Sequence, residues 1–116
     1  MKRIFIWLDD ERQISPLWIK RADDDIYFMK VKSATSLINW FETKVNEYDK
    51  IFISFDHDLG GTLTGYDVAK YIVENKCNLT GFTVHSMNPV GAKNIIDLLT
   101  HYGYHKMTYS GEINTL

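Results

Sequence analysis

Arg3-Ile4-Phe5-Ile6-Trp7-Leu8-Asp9-Asp10 reads as a six-residue strand that runs straight into two acids. Ile4, Ile6 and Leu8 fall on one alternating face and Phe5 and Trp7 on the other. A strand that is apolar on both faces is covered on both, as in a parallel sheet. Further strands are expected at Ile26 to Val31, Ile51 to Phe55 and Phe82 to His85, with a weaker fifth at Met107 to Tyr109.

Helical stripes fill the intervals. Ala34, Leu37, Ile38, Phe41, Val45 and Tyr48 recur at helical spacing behind Ser33, a natural N-cap. Val68, Ala69, Ile72 and Val73 form a second stripe behind Thr64. Ala92, Ile95, Ile96 and Leu99 form a third, opened by Asn88-Pro89 with Pro at the first helical position and stopped by Gly103. A shorter first helix is expected after Pro16, using Leu17, Trp18 and Ile19.

Strands alternating with helices give a βαβαβαβαβ string, which right-handed crossovers fold into an α/β, flavodoxin-like, doubly wound parallel sheet. Five strands in the order 2-1-3-4-5 are expected, without a closing helix after the fifth, since only Gly111 to Leu116 follow. One sheet face would then be half covered, to be completed by the first helix with Trp18 or by a second subunit. A homodimer is therefore allowed for.

The whole chain has 116 residues, 45% of them hydrophobic and 24% charged, with only two prolines, which suits one compact globular domain over residues 1–116 rather than disorder. Such a domain buries roughly 65% of its extended surface, enough for a core without staples. The single cysteine excludes a disulfide framework and a Cys-based zinc cluster. No apolar run approaches the ~18 residues of a membrane span, and the early acids do not suit a signal peptide, so a cytoplasmic protein off the membrane is expected. With Lys plus Arg 13 and Asp plus Glu 15, no basic face is available to wrap duplex DNA. The acidic run Asp23-Asp24-Asp25 reads as a solvated loop or helix end.

Ligands of open α/β sheets bind beyond the carboxyl ends of the strands, where the strand order reverses. Strand one ends in Asp9-Asp10-Glu11-Arg12, strand three in Asp56-His57-Asp58-Leu59-Gly60-Gly61, and strand four in His85-Ser86-Met87-Asn88-Pro89. In the expected order these strands are neighbours about 4.8 Å apart, so the tips converge on one pocket. Crowded carboxylates need a counter-charge, and oxygen donors suit Mg²⁺ or Mn²⁺; Asp9, Asp10 and Asp56 are the expected ligands. The bland alternatives are helix capping by Asp9 and Asp10 and an Asx turn at Asp56-His57-Asp58. His57 and His85 are candidates for an acid/base pair with Asp58 beside them, because imidazole titrates near neutrality. His101 and His105 read as surface or capping residues.

An anion site is expected as well. Ser86, Asn88 and Gly91 open a helix whose N–H groups face the pocket, Thr64 and Gly65 open the preceding one, and Arg12 can fork two phosphate oxygens. Ordinary capping is the competing reading of the same residues.

These residues resemble the receiver-domain superfamily of response regulators and, more closely, the cyclic-phosphate processing receiver family. The resemblance is carried by W-L-D-D-E-R (Trp7 to Arg12), I-S-F-D-H-D-L-G (Ile53 to Gly60), T-G-Y-D (Thr64 to Asp67) and H-S-M-N-P-V-G (His85 to Gly91). It implies a phosphoacceptor pocket turned to cyclic phosphates of nucleotides or RNA ends, with Asp9, Asp10, Asp56, His57, Asp58 and His85 as working residues. A signalling receiver carries a lysine at the end of strand five, where Tyr109-Ser110-Gly111 stand here, and an output helix after it. Those departures count against signalling by aspartyl phosphate; a metal-assisted phosphodiesterase is the first reading, followed by a binder that sequesters a cyclic nucleotide in the same pocket and then by a phosphorylatable receiver. Whether Asp56 or Asp58 leads is left open.

Overall fold

The computed structural model describes residues 2–11 and 26–107. Arg12, the helix expected after Pro16, the Asp23-Asp24-Asp25 run and the fifth strand beyond Met107 lie outside these residues.

The apolar runs form β1 (Arg3–Leu8), β2 (Ile26–Val31), β3 (Lys50–Phe55) and β4 (Gly81–Val84), and the stripes form α1 (Ala34–Thr43), α2 (Gly65–Glu74) and α3 (Pro89–His101). All strand pairs are parallel and the order is β2-β1-β3-β4. Beyond β4, Lys106 makes a parallel bridge with Phe82, and the Met107 N–H donates to the Phe82 carbonyl at 2.6 Å. The entry to the expected fifth strand therefore sits where that order puts it.

Strand alternation divides the core in two. Ile4, Ile6, Leu8, Ile51, Ile53 and Phe55 face the helices and pack with Leu37, Phe41, Val68, Ile72, Ile95 and Leu99. Phe5, Trp7 and Phe52 are buried on the other face with Met107, and Phe5 stacks on Phe52 at 4.6 Å and on Phe28 at 5.5 Å. None of the three described helices contributes to that second cluster.

One expectation about α1 needs correction. The stripe through Val45 and Tyr48 is not one helix; α1 ends at Thr43 and a 3₁₀ turn spans Val45–Glu47. Thr43 turns its hydroxyl back onto the Asn39 carbonyl, a contact that loosens the final turn. Trp40 joins the buried face, while Ile38 is half-buried.

The start of α1 follows the expected cap: the Ser33 hydroxyl oxygen accepts the Ser36 N–H at 3.1 Å. Ser33→Ala should lower stability by about 1 kcal/mol, read as a shift of the urea midpoint at unchanged slope.

Candidate active site

The three strand tips are locked together by backbone hydrogen bonds. Asp9 N–H donates to Val31 at 3.0 Å, Asp56 N–H to Leu8 at 2.9 Å and His85 N–H to Phe55 at 2.9 Å, so each tip steps onto its neighbour. This ladder brings ligand atoms of Asp9, Asp56 and His85 within 4.8 Å of one another. Asp9 is 1% exposed and Asp56 9%. A cleft of about 410 Å³ opens above them, lined by Asp9, Asp10, Glu11, Asp56, Asp58, Gly60 and Met87.

Two buried carboxylates side by side resist double ionisation. The Asp56 carboxyl lies above its ordinary range, first because it is desolvated and then because Asp9 is close; His85 and a hydrogen bond from Ser86 act the other way. Asp10 lines the cleft but is not among the three clustered ligands. Its Oδ2 lies 2.8 Å from where a Gly60 Cβ would stand, and Gly60 is at φ +73°, so this loop closes on Asp10 only with glycine there.

The two imidazoles are wired separately. One residue past the inward-facing Val84, His85 falls on the Trp7 side of the sheet; it stacks on that indole with ring centroids 3.8 Å and planes 8° apart. Its Nδ1 is 2.7 Å from Ser54 Oγ and its Nε2 2.9 Å from Asp9 Oδ2. With both nitrogens engaged and the side chain 5% exposed, His85 is not placed to trade protons directly with His57. His57 has the opposite alternation and lies against α3. A Cβ on Gly91 would collide with its ring, so the space over Gly91, a residue of the expected anion site, holds His57.

His57 Nδ1 is 2.9 Å from Asp58 Oδ1. That hydrogen bond pulls the exposed Asp58 carboxyl below its ordinary range, keeping it an acceptor. The Nδ1–H of neutral His57 is therefore directed at Asp58, and Nε2 is the nitrogen left to take a proton. Gly91→Ala should cost about 1–3 kcal/mol by overpacking and shift the His57 ring resonances, followed by denaturation and ¹H–¹⁵N spectra of the imidazole.

Most expected anion-site residues are engaged in capping. Thr64 N–H donates to Asp67 Oδ2 at 2.7 Å and its hydroxyl to the same oxygen at 3.2 Å. A Cβ on Gly65 would strike the Asp56 carbonyl, so that glycine serves close packing of α2 on the β3 tip. Asn88 N–H donates to Ser86 Oγ, Gly91 N–H to Asn88 Oδ1 and Ala92 N–H to the Asn88 carbonyl, while Pro89 has no N–H. The N–H groups at the start of α3 are thus largely taken up by its own cap.

Ser54 and Trp7 escaped the sequence reading as site residues. Ser54 did carry a signal, being the one hydroxyl in the apolar run of β3. Trp7 is 3% exposed beneath the His85 ring.

A parallel sheet with an acid-lined cleft at the tips of β1, β3 and β4 defines a receiver-type domain. The sequence profile of the cyclic-phosphate processing receiver domain matches residues 4–101, and the chain belongs to that family. Among solved structures it resembles the signal receiver domain of a protein described as a Luxo repressor from Vibrio parahaemolyticus, at TM-score 0.61 and 16% identity over 99% of this chain and 86% of that one. It also resembles the receiver domain of the histidine kinase CKI1 from Arabidopsis thaliana, complexed with Mg²⁺ and BeF₃⁻, at TM-score 0.59 and 14% identity over 96% and 83% of the two chains. These likenesses show the fold. No curated protein matches significantly.

Proposed function

We propose that the protein hydrolyses a cyclic phosphate, carried by a free nucleotide or an RNA end, in the cleft over Asp9 and Asp56. The observation that carries this reading is the His57–Asp58 hydrogen bond, which ties an imidazole to a residue of the cleft lining that also holds the buried carboxylates of Asp9 and Asp56. Among the described residues that lining is rich in carboxylates and holds no Lys or Arg, and a cation would supply counter-charge for a phosphodiester anion. Oxygen donors from Asp9 and Asp56 fit Mg²⁺ or Mn²⁺, and the raised Asp56 carboxyl is what a cation would relieve. When bound, such a cation would polarise the phosphoryl oxygens and screen the carboxylates.

The chain's own groups divide the remaining work. Asp58 holds the His57 tautomer, and His57 Nε2 accepts the proton of the attacking water. A water oxygen–phosphorus bond forms, the phosphorus–ribose oxygen bond breaks, and the departing oxygen takes a proton from solvent, leaving a phosphomonoester on the nucleotide or RNA end.

The hydrogen bond from Ser86 to Asp56 favours a second reading, in which Asp56 accepts a phosphoryl group as a receiver does. One set of assays separates the readings. Purified protein is incubated with 2′,3′-cyclic mononucleotides, and in parallel with RNA ending in a cyclic phosphate, each with Mn²⁺ or Mg²⁺. Catalytic turnover supports hydrolysis, and the better substrate separates free nucleotide from RNA end. Binding without product makes the protein a sequestering binder. A stable beryllofluoride adduct or a mass gain with acetyl phosphate, without turnover, favours the receiver.

A further inference from the structure

We infer that Ser54 and Trp7 are positioning residues that act through His85 to aim the Asp9 carboxylate at the cation; this rests on the reading of Asp9 and Asp56 as its ligands. Register brings them together. Trp7 pairs with Ser54 across β1 and β3, and Ser54 with Thr83 across β3 and β4. These residues share one sheet face, and His85, two residues beyond Thr83, returns to it.

The hydrogen-bond chain has one consistent direction when the imidazole is neutral. An ionised Asp9 can only accept, so the proton sits on His85 Nε2; Nδ1 then accepts from the Ser54 hydroxyl. Ser54 thereby selects the tautomer that serves Asp9. Parallel stacking on Trp7 holds the ring in the plane where both contacts can form. In that state Nε2 is occupied by its proton and is not itself a metal donor. His85 thus orients a ligand from behind, as carboxylates and imidazoles commonly do around metals. Ser54 is 0% exposed and too deep to meet substrate, so its effect on the cleft must pass through the ring.

The test uses the whole chain. Mn²⁺ affinity is measured from the electron paramagnetic resonance signal of the free ion, and the His85 tautomer from ¹H–¹⁵N correlations of its ring, for wild type, Ser54→Ala, Ser54→Thr and Trp7→Phe. Circular dichroism checks that each variant folds. Ser54→Ala should weaken Mn²⁺ binding about tenfold or more and change the Nδ1 resonance. Ser54→Thr, which keeps the hydroxyl, should restore both, and Trp7→Phe should fall between. Unchanged affinity and an unchanged ring spectrum in folded Ser54→Ala would overturn the inference. Equal losses in folded Ser54→Ala and Ser54→Thr would overturn it too, because they would mark a packing role. Should the wild type bind no Mn²⁺, the cation reading fails by itself; the ring spectra then decide the wiring, upheld by an Nε2–H tautomer that shifts in Ser54→Ala and overturned by one that does not.

Discussion

His57→Ala is expected to lower kcat for cyclic-phosphate hydrolysis by about 10²–10⁴-fold, the range that a positioned general base contributes. Asp58 holds Nδ1 at 2.9 Å, the ring is braced on Gly91, and Nε2 is left to accept a proton. Because His57 is not one of the clustered ligands, Mn²⁺ affinity should stay near the wild-type value. Asp58→Asn removes the obligate acceptor and should lower kcat less, since the ring keeps its seat on Gly91. Initial rates at saturating substrate, set beside a Mn²⁺ titration of each variant, check this result. Full turnover in His57→Ala would remove the base from the mechanism.

Asp56→Asn should have the opposite signature, a more stable metal-free protein that no longer responds to cations. Burial and the neighbouring Asp9 raise the Asp56 carboxyl above its ordinary value of 3.8. Between that value and the raised one, the folded protein keeps a proton that the unfolded chain has lost. Stability from this group therefore falls as pH rises through the window, and the deficit stays constant above it. Asparagine abolishes the deficit, so the stability gap between variant and wild type should widen with pH across the window and then level off. Asp58 and Asp67, both lowered by hydrogen bonds, contribute in the reverse sense, but they are common to both proteins and cancel in the difference. A cation at a hundred times its Kd should stabilise the wild type by about 2.7 kcal/mol and the variant far less. Urea titrations across pH, with and without Mn²⁺, measure each part; a wild type as stable at neutral pH as the variant would refute the strained acid pair.

Much of this was legible in the residues. Period-two alternation in Arg3 to Leu8 and Ile51 to Phe55 announced strands covered on both faces, and Ser33, Thr64 and Asn88 announced their helices, because propensity, patterning and capping act over a few neighbours. Right-handed parallel crossovers then left few topologies, and the order β2-β1-β3-β4 is the one observed. Convergence of Asp9, Asp56 and His85 followed from that order.

The roles of the two histidines were not legible. From composition alone, His57 and His85 were equivalent imidazoles at adjacent tips, and a facing pair was the natural reading. Strand alternation past the last paired residue sends one ring to α3 and the other over Trp7. The glycines show the same limit: Gly65 and Gly91 were expected to help form an anion site, yet one seats α2 against the β3 tip and the other seats a ring.

By itself, then, the amino-acid order determined where most strands and helices lie, their sheet order and the acid-rich rim, all consequences of short-range periodicity and a small menu of crossovers. Tertiary structure alone decided which side chain answers which. His85 meets Ser54 from 31 positions away and Asp9 from 76, and such partnerships depend on strand register and side-chain packing, which local sequence does not encode.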